Sequence, residues 1–227
     1  MQTELRITVS DGKVISSMSQ DKREIEEYLL RQQHEAELVK ESLRKADEQE
    51  KANKEQPLLT LEEVTEQMGT GMIEFPNAPM RIRLGKFFDD RVAIPIPIDY
   101  LKEYSNEDGV VTLLNDVFGI SLTLQYTKTT DANVTFESVK KGLLGQMKGA
   151  GIYIELLEDG VVEDDVAPTY FITYRMPSAR GVLYQMVFYS IHKQDNGMII
   201  GNYNCFYKDL PVWENVIKAT ISYFTFQ

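Results

Sequence analysis

Between residues 120 and 207 the sequence returns again and again to a period of two, and this constrains the fold more than any other feature of the chain. Ile120, Leu122, Leu124 and Tyr126 alternate with Ser121, Thr123, Gln125 and Thr127, and strand patterns follow at 152–157, 169–176, 182–193 and 198–207. Such alternation sends successive side chains to opposite faces of a sheet. Gln194-Asp195-Asn196-Gly197 joins the last two runs with hairpin chemistry. One helical stretch interrupts the strands: Thr135 can cap a helix carrying Phe136, Val139, Leu143 and Met147, with Gly149 and Gly151 beyond. Pro211 sits where the first turn of a closing helix tolerates proline, and Trp213, Val216, Ile217 and Ile221 form that helix's apolar stripe. Strands in succession with helices set apart predict an α+β fold, an antiparallel β-sheet flanked by helices.

The N-terminal part reads differently. Leu5, Ile7 and Val9 alternate with polar residues, Asp11-Gly12 supplies a tight turn, and Val14 and Ile15 return, so a β-hairpin is expected over 3–16. Asp21 and Glu24 make a capping box, and neither Gly nor Pro occurs from there to residue 53. Ile25, Leu29, Gln32, Ala36, Val39, Leu43 and Ala46 form a heptad seam on this long amphipathic helix. Pairs such as Glu27/Arg31 and Glu41/Lys45 lie one turn apart in the favourable order. Two readings stay open: a solvated helix docking one stripe on its own domain, or a helix for homodimerisation (21–53) or for a partner. Pro57 ends it, and Thr60 with Glu63 starts a short helix that Gly69 is expected to close. The Gly and Pro residues of 69–79 then mark a connection. The expected organisation is a hairpin plus long charged helix (1–56), a short helix and linker (57–80), and an α+β core (81–227).

Composition excludes several function classes. A single cysteine, Cys205, and two histidines, His34 and His192, leave no intramolecular disulfide, no four-cysteine zinc site and no three-histidine site. With 35 acidic against 24 basic residues the net charge is −11, which disfavours a broad phosphate-binding surface and argues against nucleic acid. No stretch approaches the ~20 apolar residues of a membrane span, and no signal-like apolar segment follows the N-terminus. A cytoplasmic protein is expected, the free cysteine suiting a reducing compartment.

Catalytic sets are equally scarce. Pairing about Asn196 is expected to set His192 opposite about residue 202, leaving Cys205 some three residues further and out of reach. Glu158, Asp159, Glu163, Asp164 and Asp165 lack the order of a calcium loop and read as a solvated turn. The glycines form no phosphate loop. No cofactor, metal or catalytic residue is assigned.

What remains is the sheet. Strand parity, taken with Tyr170, Ile172 and Tyr174 facing the core, predicts a mixed polar and aromatic face of Thr123, Gln125, Thr173, Arg175, Gln185, Tyr189, Asn202 and Asn204. Such a face is either partly covered by a helix and otherwise solvated, or a platform for a ligand or peptide. The reading that follows is a non-enzymatic adaptor or chaperone that binds another protein. The alternatives are an enzyme using carboxylates such as Glu155 or Asp209, or a self-associating structural subunit.

The core begins Phe88-Asp89-Asp90-Arg91-Val92-Ala93-Ile94-Pro95-Ile96-Pro97, a short strand entering a proline turn before Asp99-Tyr100. It ends with a strand through Gly201-Asn202-Tyr203-Asn204-Cys205 and a tryptophan-bearing helix at 213–222. That order resembles the PsbP-like superfamily, which comprises photosystem extrinsic proteins, a nuclear Ran-release factor and DcrB-like bacterial proteins, among them effector chaperones of type VI secretion. The resemblance covers 81–227. It implies a PsbP-like α/β/α sandwich and a role in binding another protein, such as a secretion substrate, and it transfers no site residue. The additional N-terminal hairpin and helix depart from the family pattern.

Overall fold

The computed structural model describes residues 59–129 and 134–227, residues 37–46, and residues 27, 30, 31, 34 and 48. The chain divides into two compact units, Met1–Glu41 and Ser42–Gln227. In the first, the described residues are helical, with Leu30 and Leu38 exposed and the seam position Val39 half-buried. The expected hairpin at 3–16 and the seam positions Ile25, Leu29, Gln32 and Ala36 lie outside the described residues.

In the second unit, helical residues 42–46 (α1) bury the seam positions Leu43 and Ala46. Next comes α2 (Leu61–Thr70), opened by a complete capping box between Thr60 and Glu63. Backbone and side-chain hydrogen bonds from Thr60 hold the Glu63 carboxyl below its usual range. The helix passes Gly69 and ends at Gly71, whose φ of 89° suits a left-handed cap. Gly69 serves instead as a point of close approach, since a Cβ there would lie 2.7 Å from the Tyr223 hydroxyl.

Two antiparallel sheets make up the rest. The smaller has the order β1-β2-β3-β11, built from β1 (Met72–Glu74), β2 (Pro79–Phe87), β3 (Val92–Pro97) and β11 (Thr225–Phe226). Thus 57–80, read from sequence as a short helix and linker, contributes α2, β1 and the start of β2 to the folded unit. All six residues of β3 are buried. Pro95 and Pro97 fit there because β11 pairs only with Ala93 and Val92, so no neighbour on that side needs their missing N–H groups.

The larger sheet has the order β4-β5-β6-β10-β9-β8-β7. Its strands are β4 (Lys102–Glu107), β5 (Val110–Asn115), β6 (Ile120–Lys128), β7 (Glu155–Val162), β8 (Thr169–Ser178), β9 (Gly181–Ile191) and β10 (Gly197–Phe206). The expected strand at 152–157 starts late, because Ile152 N–H still donates to Met147 O of the preceding helix and pairing begins at Glu155. That helix is α3 (Phe136–Gly149), capped by Thr135 as its sequence implies. The closing helix is α4 (Leu210–Ser222), with proline in its first turn and seven buried residues, among them Trp213, Val216, Ile217 and Ile221. Its buried Thr220 satisfies its hydroxyl on Val216 O at 2.8 Å. Helices α2 and α4 are tied together through Tyr223 Oη donating to Thr65 O and Asn215 Nδ2 donating to Leu59 O. The fold is therefore α+β, as the alternation predicts.

Register divides the large sheet into two faces. Directly opposed residues share a face, so Leu122, Tyr203, Met186 and Thr173 fall on one side and Thr123, Asn202, Val187 and Ile172 on the other. The first is the core face: Leu122, Leu124, Tyr184, Met186, Phe188, Ile199, Tyr203 and Cys205 are all fully buried. Gly201 lies on it beneath Phe188, whose ring would stand 2.0 Å from an added Cβ. Only glycine leaves room for that ring.

Candidate functional site

The second face, the outer one, holds six of the eight residues expected to form the mixed platform. Asn202 is opposite Thr123 and Val187, Asn204 is opposite Gln185, and Ile200 is opposite both Gln125 and Tyr189. Half-buried apolar residues frame them: Leu183, Val187, Ile191, Met198 and Ile200. β5 adds Val110, Thr112 and Leu114 by its register with β6. Sequence reasoning missed β5, although Asp108-Gly109 before it carries the same turn dipeptide read at Asp11-Gly12. Both residues adopt positive φ, 50° and 74°.

Thr173 and Arg175 are not part of this face. Their partners in β9 are Met186 and Tyr184, which puts them on the core side. The expectation fails because β8 turns Tyr170, Ile172 and Tyr174 outward, while Thr169, Thr173 and Arg175 lie beside Phe171 on the core side. Arg175 Nη2 and Nε donate to the Glu155 carboxylate at 2.9–3.1 Å, and its guanidinium lies 5.2 Å from the Tyr207 ring centre. Thr173 donates to Glu158 O.

Three polar atoms give the outer face its chemistry. Gln185 Oε1, Tyr189 Oη and Asn202 Oδ1 are buried without a hydrogen-bond partner. Gln185 is 8% and Tyr189 4% exposed, and burial pushes the Tyr189 phenol up to about 12. An unmade hydrogen bond at such a position costs about 1–3 kcal/mol. Neighbouring groups are better served: Asn204 Nδ2 donates to Ser121 Oγ at 2.6 Å, and Gln185 Nε2 makes a long contact with Met176 sulfur at 3.8 Å.

Helix α3 covers one end of the face. Phe136 stacks on Tyr170, and Tyr170 on Tyr189, with ring centres 5.6 and 5.1 Å apart. Lys140 Nζ reaches Asp159 at 2.8 Å, and this hydrogen bond raises the lysine's pKa above its usual value. Yet no residue of α3 is fully buried. The acidic run read as a solvated turn has a structural use here. Asp159 holds α3 on the outer face, while Glu158 binds Lys218 of α4 on the core side. Burial works against the Lys218 ammonium, but its bonds to Glu158 and Glu214 outweigh that and leave it above its usual range. Asp164 accepts from the Ala167 and Val166 N–H groups, which lowers its pKa.

Nothing comparable is assembled for catalysis among the described residues. His192 N–H donates to Gly197 O, so His192 faces the turn rather than residue 202, and Cys205 pairs with Tyr184 at the far end of β9. The two are even further apart than the sequence reading placed them. The Cys205 thiol is fully buried and its pKa is pushed well up by desolvation, the opposite of an activated nucleophile. Glu155 is engaged by Arg175, and partial burial raises the Asp209 carboxyl. No cluster of three or more His, Cys, Asp or Glu is arranged to hold a metal among the described residues. No helix among them is long and apolar enough to cross a membrane.

No protein-family model matches the chain, and no curated protein sequence matches it. Solved structures do. The solution structure of cyanobacterial PsbP (CyanoP) from Synechocystis superposes with a TM-score of 0.51 at 13% identity, covering 68% of this chain and 98% of that one. The Ran-binding protein Mog1p of Saccharomyces cerevisiae gives 0.48 at 10% identity over 65% and 96% of the two chains. A protein of unknown function from Pseudomonas aeruginosa gives 0.40 at 10% identity over 69% and 96%. At such identities the likeness to CyanoP is one of fold alone, and in that sense the chain has a PsbP-like fold.

Proposed function

We propose that this chain is a non-enzymatic protein-binding module, an adaptor or chaperone, whose partner seats on the outer face of the seven-stranded sheet. The observation that carries the reading is the trio of buried, unpartnered atoms Gln185 Oε1, Tyr189 Oη and Asn202 Oδ1, set among half-buried apolar side chains. Two of the three are carbonyl acceptors, so the partner supplies hydrogen-bond donors together with an apolar surface. Thr123, Gln125 and Asn204 extend the contact. Helices on both faces, an α/β/α arrangement in the PsbP-like manner, complete the module. The proposal takes the cytoplasm as its place of action, in keeping with the free thiol of Cys205.

The test is capture by the full chain from its native cytosol, with wild type compared against Val187→Glu and Ile200→Glu. One stoichiometric protein, retained by wild type and by an exposed control such as Lys141→Glu but lost from both face variants, is the expected result. An empty capture, or a protein held equally by all four, overturns it. A metabolite turned over in a way that depends on Glu155 or Asp209 would put the enzyme reading in its place.

A further inference from the structure

A second surface lies at the junction of the two sheets. β1 pairs with β2 only through Arg81, Met80 and Pro79, and Gly71 O then accepts from Ile82 N–H at 2.8 Å. Beyond Ile82 the side of β2 that faces away from β3 has no strand beside it among the described residues. In an antiparallel ladder, opposed pairs alternate between exchanging both hydrogen bonds and exchanging none. Pro95 and Pro97, which lack N–H groups, stand opposite Leu84 and Ile82. The bonded pairs are therefore Arg83 with Ile96, Gly85 with Ile94 and Phe87 with Val92. Leu84 and Lys86 turn their N–H and C=O groups outward, in the same sense as the Ile82 N–H that bonds Gly71.

That outward edge borders a groove of about 560 Å³. Five consecutive residues of β2, 83–87, line it, as a strand does when its edge rather than a face forms the wall. Ile96, Leu101 and Leu113 form an apolar floor, and Lys102 and Glu103, at the start of the other sheet's edge strand β4, make the opposite wall. Leu84 is 52% exposed. Arg83, Lys86 and Lys102 outnumber Glu103 around the groove in a chain whose net charge is −11. Lys86 approaches Asp90 only to 4.0 Å.

We propose that this groove is a second docking site, distinct from the outer face, that accepts an extended segment of alternating apolar and acidic residues from a partner protein as a strand added to β2. Backbone pairing to Leu84 and Lys86 supplies the affinity and the cationic rim supplies the choice of partner. A second copy of this chain pairing β2 with β2 would set Arg83 and Lys86 against their own counterparts.

The test uses the full chain and two blocked decapeptides, one alternating Val and Glu, the other Val and Lys, with binding followed by calorimetry and backbone amides by NMR hydrogen exchange. The Val/Glu peptide is expected to bind at least tenfold more tightly than the Val/Lys peptide and to slow exchange at Leu84 and Lys86. Leu84→Pro removes an outward donor while leaving the β3 ladder intact, and it should lower the affinity at least tenfold. Arg83→Glu with Lys102→Glu should do the same, and Ile200→Glu on the outer face should leave it unchanged. Absence of binding, equal binding of both peptides, or equal binding by Leu84→Pro overturns the proposal. So does protection of the Leu84 and Lys86 amides in the free chain, which would mean that the edge is already filled by the chain itself. A dimer abolished by Leu84→Pro would assign the edge to a second copy and overturn it as well.

Discussion

The two faces of the seven-stranded sheet are covered by helices of opposite character. On the core side α4 buries seven residues, and the strands beneath it present Tyr184, Met186, Phe188 and Tyr203 at almost zero exposure. On the outer side α3 buries none completely, and it is held by the Phe136–Tyr170 stack, the Lys140–Asp159 pair and its own cap. Their sequences explain the contrast. α3 contains Gly142 and Gly145, and a Cβ added at either meets nothing within 4 Å, so neither glycine answers a need for room. Each weakens the helix by roughly 0.5–1 kcal/mol relative to alanine. A weakly held cover at one end of the outer face is what the proposed docking there requires. The core face also carries buried hydroxyls without partners, Tyr184 Oη and Tyr203 Oη, but it lies against a helix with seven buried residues.

The largest expected effect tests whether the faces really differ. Trp213→Ala removes a buried side chain from α4 and should cost about 3–5 kcal/mol in urea unfolding. Phe136→Ala on α3 should cost about 1 kcal/mol, the worth of a partly exposed aromatic stack. Equal losses would make α3 part of the core and dissolve the distinction.

Much of this was legible in sequence, and the misreadings have a common cause. Strands 120–128, 169–178, 181–191 and 197–206 were readable because their alternation and the Asn196-Gly197 turn act locally. The capping residues Thr60 and Thr135 and the Pro211 start were readable for the same reason. Which side of β8 faces the core was not. Tyr170, Ile172 and Tyr174 look like core residues and are in large part buried, but on the outer face; Thr173 and Arg175 look like surface residues and are buried on the inner one. Arg175 tolerates that position because Glu155, twenty residues away on the next strand, receives its guanidinium. Polarity reports how a residue is satisfied only when its partner is near in sequence. The groove at β2 was illegible for a related reason: it depends on where β1 stops, which hydropathy does not encode.

An intermediate effect sharpens the comparison. Gly142→Ala and Gly145→Ala together should stabilise α3 by about 1–2 kcal/mol, seen as slower amide exchange confined to that helix. If a partner must displace α3 to reach Gln185 and Asn202, the same double variant should weaken capture at the outer face. Unchanged capture alongside a stabilised helix would mean that the partner binds with α3 in place.

The smallest effect separates the helices by pH. The hydrogen bond that Lys140 donates to Asp159 raises the lysine above its ordinary value of 10.5. Its contribution is therefore complete below pH 10.5 and is lost as pH rises through the higher folded-state value. Asp195 behaves in the opposite sense. His192 and the Gly197 N–H lower it from 3.8, so the β9–β10 turn keeps that contribution above pH 3.8 and loses it as pH falls through the depressed value. Wild type and Lys140→Met, compared at each pH so that intrinsic exchange cancels, should differ at α3 amides near neutrality and converge above pH 10.5, with α4 amides indifferent throughout. A difference that spreads to α4 would show that β7, which holds Asp159 for one helix and Glu158 for the other, transmits the loss of one cover to the other and couples the two faces.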